Sequence, residues 1–205
     1  MVLRTGGIVL CGGRSRRMGT SKAWLRFGDE YGLQRIVRLL GGVVGPVVVA
    51  ARQGQNLPPL PANVSVVHDH PDHRGPLSGI LAGFAALEGQ CDAAFVTSCD
   101  QPLLRPALVR CLIERLGVHA AVVPRHEGRL HPLTAVYRLG TRALLTELLT
   151  QHQWRVQTYV ERCEALIVEA HSLSSEDQDF VSFWNANDPA EYQRIVRHLE
   201  DAQDL

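Results

Sequence analysis

Asp100 lies in Ser98-Cys99-Asp100-Gln101-Pro102, directly after an apolar run, so it is a carboxylate at the mouth of what reads as a buried strand. Such a group can hold Mg²⁺ beside a phosphate, because magnesium keeps several waters, takes one or two protein carboxylates and fills other positions with phosphate oxygens. A second pointed stretch is Leu10-Cys11-Gly12-Gly13-Arg14-Ser15-Arg16-Arg17-Met18-Gly19-Thr20-Ser21-Lys22, which follows Ile8-Val9-Leu10. Paired glycines let consecutive N–H groups turn inward around an anion, where a Cβ would interfere. The arginines and Lys22 then neutralise its charge. Together the two stretches describe a cradle for a polyphosphate and a metal.

Two better-known phosphate loops do not fit. A Walker loop requires Gly-Lys followed by Ser or Thr, whereas Lys22 here follows Ser21 and precedes Ala23. The dinucleotide fingerprint requires G-x-G-x-x-G opening a helix, and the adjacent Gly12-Gly13 breaks that spacing. What remains is the more specific string G-G-x-x-x-R-M-G-x-x-K. A plain glycine turn with a solvated basic face would explain the composition but not the string.

The segment His68-Asp69-His70-Pro71-Asp72-His73-Arg74-Gly75-Pro76-Leu77-Ser78-Gly79 offers imidazoles and carboxylates of the kind that bind zinc. Its spacing is that of a loop, however, and a short His-rich tract is compositional evidence only. Asp69, directly after an apolar run, reads better as an acceptor for a nucleobase or ribose. Gly75 to Gly79 reads as a rigid turn opening a helix whose N-terminus can face an anion. Asp100 itself could cap the helix near Pro106, but it lies too far upstream.

These residues need elements to bring them together. Apolar runs predict strands at Gly7–Leu10, Pro46–Ala51, Val64–His68, Ala93–Thr97 and Ala120–Pro124, with another near Pro132–Arg138. Helical spacing falls between them, at Tyr31–Leu40, Ser78–Leu87, Pro106–Leu116 and Thr141–Gln151; in the second, Ile80, Leu81, Phe84 and Leu87 share one face. Such alternation predicts a mostly parallel sheet wrapped by helices, a Rossmann-like three-layer α/β/α fold in one domain over residues 1–205. Sites in open parallel sheets form beyond the carboxyl ends of the strands, which is where all the residues above fall. Arg155–Cys163 reads as a short helix, Ala165–Glu169 as a strand and Ser172–Phe183 as a polar loop. Asp188 and Pro189 then cap and open the last helix. Gly54–Asn63, with its prolines, reads as an exposed linker.

Composition narrows the partners. Basic and acidic residues are 21 each, so there is no broadly cationic surface for nucleic acid or an anionic membrane. No stretch reaches the ~20 apolar residues of a bilayer span, and no signal peptide precedes Cys11, so a cytoplasmic protein is expected. The five widely spaced cysteines read as reduced thiols.

With these residues in view, the chain resembles the molybdenum cofactor guanylyltransferases, the MobA family of Mg²⁺-dependent nucleotidyltransferases. The family's L-A-G-G-x-S-x-R-M-G-x-x-K corresponds to Leu10–Lys22, its G-P-L-x-G to Gly75–Gly79, and its C-D-x-P to Cys99–Pro102. H-P-L-x-x-V-Y corresponds to His131–Tyr137, and N-x-N-x-P to Asn185–Pro189. The resemblance implies transfer of GMP from GTP to molybdenum-carrying molybdopterin, with loss of pyrophosphate. It implies that Leu10, Cys11, Gly12 and Gly13 contact the nucleotide, Lys22 and Arg17 its phosphates, Asp69 the guanosine part, and Asp100 the Mg²⁺. Gly75, Pro76, His131, Asn185 and Asn187 would lie on the pterin side. Partners would be GTP, the pterin substrate, and a molybdopterin-inserting enzyme or an acceptor apoenzyme.

Three residues depart from the pattern. Cys11 replaces alanine, Asp188 stands where threonine is common, and the asparagine expected after the second strand gives way to Ala50-Ala51-Arg52-Gln53. That contact is missing, or Gln53 or Arg52 replaces it. The alternatives are a pterin cytidylyltransferase, a sugar-phosphate nucleotidyltransferase and a silent nucleotide-binding adaptor. Gly12-Gly13 favours guanine over cytosine, the short chain leaves little room for a sugar-specific domain, and a mere binder would not need both Lys22 and Asp100.

Overall fold

The computed structural model describes residues 3–12, 19–69, 75–173 and 175–202. Its central strand is β1 (Thr5–Leu10), every residue of which is buried, as expected of a continuous apolar run covered on both faces. After the short hairpin β2–β3 (Arg26–Phe27 and Glu30–Tyr31) and helix α1 (Gly32–Gly41) come β4 (Val47–Ala51), β5 (Val64–His68) and α2 (Pro76–Leu87). Next are β6 (Ala93–Ser98), α3 (Pro106–Glu114), β7 (Ala121–His126), β8 (Arg129–Leu130) and β9 (Ala135–Arg138). The chain continues through α4 (Arg142–Thr150), α5 (Val156–Arg162), β10 (Leu166–Glu169) and α6 (Pro189–Asp201).

The main sheet runs β10-β7-β9-β6-β1-β4-β5, with β8 folded onto β7. β1 is parallel to both β4 and β6, and β4 is parallel to β5. β9 is the exception, antiparallel to β6 and β7. One face of the sheet packs on α1 and α3 through residues such as Ile36, Leu40, Leu108 and Leu112. The other packs on α2, α4 and α5 through Ile80, Phe84, Leu148 and Tyr159. A third cluster joins α6 to the small hairpin through Phe27, Leu103, Val181, Ala186 and Ile195. The expected Rossmann-like three-layer α/β/α fold with a mostly parallel sheet is the fold observed.

Differences from the expectation are local. The strand near Pro132–Arg138 starts only at Ala135, and Arg129–Leu130 instead pairs back on β7. Helix α2 starts two residues early, because Gly75 adopts φ +83° and Pro76 takes the first helical position. The supposed linker Gly54–Asn63 is tied down: Pro58 is buried, Leu57 and Leu60 pack on the core, and Asn56 and Pro59 carbonyls accept from Trp24 and Gln34. Ser172–Phe183 is no simple polar loop either. It contains two single-turn 3₁₀ segments and buries Leu173, Val181, Ser182 and Phe183. Asp177 is buried among them, its carboxylate accepting from the N–H groups of Val181 and Ser182.

Helix α2 can lie close to β1 only because its contact residue has no side chain: a Cβ on Gly83 would lie 2.6 Å from Ile8 Cδ1. Overpacking of this kind costs roughly 1–3 kcal/mol. Gly83→Val should lower the thermal midpoint by about 2–4 °C for each kcal/mol lost, as read by calorimetry.

Candidate active site

The carboxyl ends of β1, β4, β5 and β6 open into a cleft of about 1390 Å³. β6 ends at Ser98, and the turn that follows presents Asp100. Gln101 fixes that turn. Its buried carboxamide accepts from the Thr97 hydroxyl at 2.9 Å and the Ser98 N–H at 3.3 Å. It donates to Thr134 Oγ1 at 2.6 Å and the Ser182 carbonyl at 3.4 Å. A fully satisfied buried carboxamide of this kind holds three segments in one arrangement. The helix cap at α3 is Arg105, so Asp100 is not spent on capping.

The Asp100 carboxylate accepts from Ser98 Oγ on Oδ1 and from Lys22 Nζ on Oδ2, the latter at 2.6 Å. The ion pair is mostly enclosed, with the Lys22 and Asp100 side chains 20% and 14% exposed. Lys22 Nζ also donates to Asn187 Oδ1 at 2.7 Å. The resemblance placed Asn187 on the pterin side; its side chain meets Lys22. Asn187 lies just before α6, whose first turn is capped as expected by Asp188, accepting from Ala190 N and Glu191 N at 2.9 Å each. The same segment is stitched to the turn by Ala186 N donating to the Asp100 carbonyl at 2.9 Å.

On the β1–β4–β5 side of Asp100 lie Leu10, Cys11, Gly12, Arg52 and Asp69. The Asp69 carboxylate sits beside Gly12, where a Cβ would come within 3.5 Å of Asp69 Oδ2. Where an asparagine was expected after β4, neither Gln53 nor Arg52 reaches Cys11; Gln55 does. Its Nε2 donates to the Cys11 carbonyl at 2.9 Å while its Oε1 accepts from Arg52 N at 3.1 Å. Arg52 lines the cleft as well. Below the floor the Cys11 thiol, ahead of burial, pushes the Cys99 thiol well above its ordinary range.

On the β6–β9–β7 side the cleft is lined by Gly75, Pro76, His131, Thr134, Trp154, Arg155 and Asn185. Trp154 and Arg155 lie between α4 and α5 and went unnoticed as site residues in the sequence, where no motif marks them. The His131 ring packs on Phe183, with centroids 4.4 Å apart. Burial, aided by His126 and Arg129, lowers the His131 pKa to about 4. It is therefore a neutral imidazole at physiological pH. Gly13, Arg14, Arg16 and Arg17 lie outside the described residues, as do His70, Asp72 and His73 of the His-rich segment. His68 of that segment is exposed on β5, and Asp69 lines the cleft.

Among the described residues no group of three or more His, Cys, Asp or Glu side chains forms a metal cage. A lone strand-end carboxylate fits Mg²⁺, which completes its shell with phosphate oxygens and water, and does not fit a closed zinc site.

Lys22 paired with Asp100 at the strand ends of a Rossmann-like sheet fits the nucleotidyltransferase class of fold. Solved structures agree in fold. Molybdopterin-guanine dinucleotide biosynthesis protein A from Archaeoglobus fulgidus matches with a TM-score of 0.81 at 19% identity, over 96% of this chain and 99% of that one. The 2-C-methyl-D-erythritol 4-phosphate cytidylyltransferase from Thermus thermophilus matches with a TM-score of 0.70 at 14% identity, over 98% and 100%. The profile of the MobA-like NTP transferase domain matches residues 7–165, and the chain belongs to that family. A probable molybdenum cofactor guanylyltransferase from Pelotomaculum thermopropionicum is 34% identical over 93% of this chain and 91% of its own length. Another from Mycobacterium bovis is 38% identical over 81% and 84%.

Because His131 titrates near 4 when folded and near 6.5 when unfolded, the unfolded chain binds more protons between those values. Stability from this group is complete above pH 6.5 and declines as pH falls toward 4. His131→Gln should flatten the pH dependence of denaturant-measured stability over that window by about 1–2 kcal/mol, allowing for partial exposure.

Proposed function

We propose that this protein transfers GMP from GTP to the terminal phosphate of molybdenum-carrying molybdopterin, releasing pyrophosphate and forming the guanine dinucleotide cofactor. The observation that carries the reading is the Lys22–Asp100 pair, set between two chemically different ends of one cleft. The full-length relationship to proteins named molybdenum cofactor guanylyltransferase supports the choice of substrates. In this reading residues 1–205 form one nucleotidyltransferase domain.

The nucleoside end is built by Leu10, Cys11, Gly12 and Asp69, with Gln55 fixing the Cys11 carbonyl. Asp69 accepts from the guanosine part, and Arg52 adds positive charge beside it. The acceptor end is built by Gly75, Pro76, His131 and Asn185, with Trp154 and Arg155 added. Gly75 and Pro76 open α2, whose first N–H groups favour an anionic group. A phosphate oxygen of the acceptor attacks the α-phosphorus in line, so the protein's task is to orient two anions and absorb charge. Lys22 stabilises charge on the α-phosphate and the departing pyrophosphate, joined by Arg17 of the glycine loop. Mg²⁺ held by Asp100 would supply further electrostatic stabilisation of the phosphates. An ionised phosphate needs no strong base, which agrees with a neutral His131 and with the lack of a nucleophile–histidine–acid arrangement among the described residues. We place the reaction in the cytoplasm, where the five free cysteines stay reduced, and the product's next holder as a molybdopterin-inserting enzyme or an acceptor apoenzyme.

Pyrophosphate release should be measured with GTP, CTP, ATP and UTP, with and without molybdenum-loaded molybdopterin. Turnover is expected with GTP and acceptor together; selective use of CTP would overturn the guanylyl assignment. Asp100→Asn keeps the shape and an acceptor for Lys22, so the protein should fold normally by circular dichroism. Its magnesium-dependent turnover should fall by roughly 10²–10³.

A further inference from the structure

Gln101 does more than brace the turn that follows β6. Its carboxamide can take only one orientation: the Ser98 N–H must face Oε1 at 3.3 Å, and the Ser182 carbonyl must face Nε2 at 3.4 Å. An ionised glutamate offers no donor, and an apolar residue of the same length offers neither a donor nor an acceptor. Nε2 also donates to the hydroxyl of the fully buried Thr134 at 2.6 Å.

Two routes lead from these partners to His131, on the β6–β9–β7 side of the cleft. Thr134 N donates to the His131 carbonyl at 3.0 Å. Ser182 immediately precedes Phe183, whose ring lies against the His131 ring at 4.4 Å between centroids. In the other direction, Gln101 directly follows Asp100 and accepts from Thr97 and Ser98 of β6. One buried side chain therefore joins the strand end that presents Asp100 to the loop that carries His131. The opposite end of the cleft is placed without it: Cys11 N donates to the Ala50 carbonyl, Asp69 N to the Ala51 carbonyl, and Gln55 to the Cys11 carbonyl.

The reaction proposed above, on which this inference rests, has an acceptor phosphate attacking the α-phosphorus in line. The acceptor wall and the Asp100 carboxylate must then keep one separation while both substrates are bound. We infer that Gln101 is a positioning residue that sets this separation, holding the His131 wall against Asp100. It acts through the β6 turn on one side and through Thr134 and Ser182 on the other.

Loosening the link leaves in place the groups that hold GTP and those that hold the acceptor, but no longer fixes one set against the other. The loss therefore falls on turnover rather than on binding. A small misplacement of a bound reactant costs up to about a hundredfold in rate.

The test uses two variants of the full chain that cut the link from opposite ends. Thr134→Val is nearly isosteric and removes the hydroxyl that accepts from Gln101, leaving the Ser182 tie. Gln101→Asn keeps the carboxamide but withdraws it by one carbon. Thr134→Val should fold with an unaltered circular dichroism spectrum. Its kcat, measured as pyrophosphate release with both substrates saturating, should fall by about tenfold to a hundredfold. The calorimetric Kd for GTP with Mg²⁺ in the absence of acceptor, and the acceptor KM, should each change less than about threefold. Gln101→Asn should behave likewise, and the double variant should be little slower than the slower single one, because both cut the same link. An unchanged kcat in Thr134→Val, a loss confined to the GTP Kd or to the acceptor KM, or multiplying losses in the double variant would each overturn the role given to Gln101. Absence of turnover by the unaltered protein would overturn the guanylyl reading, and this inference with it.

Discussion

Parallel pairing in register decides where everything else in this protein goes. Leu10 stands beside Ala50 on one side and Ser98 on the other, while Ala51 stands beside His68, so four strands end at one level. The ladder continues one step beyond them: Cys11 N donates to the Ala50 carbonyl, Cys99 N to the Leu10 carbonyl and Asp69 N to the Ala51 carbonyl. The first residues past those bonds line the cleft. A slip of one residue in any pair would turn the side chains to the opposite face, so register and chemistry are specified together. The register in turn relies on helices lying close against β1. Cβ atoms on Gly6 and Gly7 would come within 2.8 Å of Leu87 and 2.6 Å of Leu40, so these glycines set the distance between the layers.

Much of this was legible because buried parallel strands advertise themselves as unbroken apolar runs, and because phosphate loops, caps and strand-end carboxylates have fixed chemical requirements. The Asp188 cap, the helix faces and the convergence of Gly12, Lys22, Asp69 and Asp100 on one cleft all follow from such rules. Other features have no local signal. β9 is as apolar as its neighbours, and nothing in Ala135–Arg138 distinguishes an antiparallel strand inserted between β6 and β7 from one more parallel strand. Residues 172–183 look polar because the apolar residues they bury are spaced for 3₁₀ turns, and their buried Asp177 serves backbone N–H groups. Lys22 and Asn187 are 165 residues apart, a pairing visible only once α6 is docked.

The end of the cleft beside β4 and β5 is shaped by a residue of the turn rather than by those directly after the strand. Where the resembling family carries an asparagine after its second strand, this chain has alanines, and the small side chains of Ala50 and Ala51 are buried in the sheet. In the following turn Gln55 reaches back to the Cys11 carbonyl and accepts from the Arg52 N–H with its other end. Position-by-position reading looks for a replacement at Arg52 or Gln53 because those follow the strand directly. A turn that folds back over the strand ends lets a residue further along reach the Cys11 carbonyl. Cys11 fits the arrangement because its thiol is small, leaving room for the carboxamide to lie 3.6 Å from the sulfur.

Charge compensation explains how ionised groups can sit in so enclosed a cleft. The whole chain carries as many acidic as basic residues, so nothing in its overall field concentrates anions, and attraction has to be local. A lone ammonium or carboxylate at the exposures of Lys22 and Asp100 would be costly, whereas the pair compensates itself. The pair is held in turn by neutral groups, Ser98 on Asp100 and Asn187 on Lys22, so the C-terminal segment that supplies Asn187 is part of one charge-compensated arrangement with the turn after β6, although it comes from the far end of the chain.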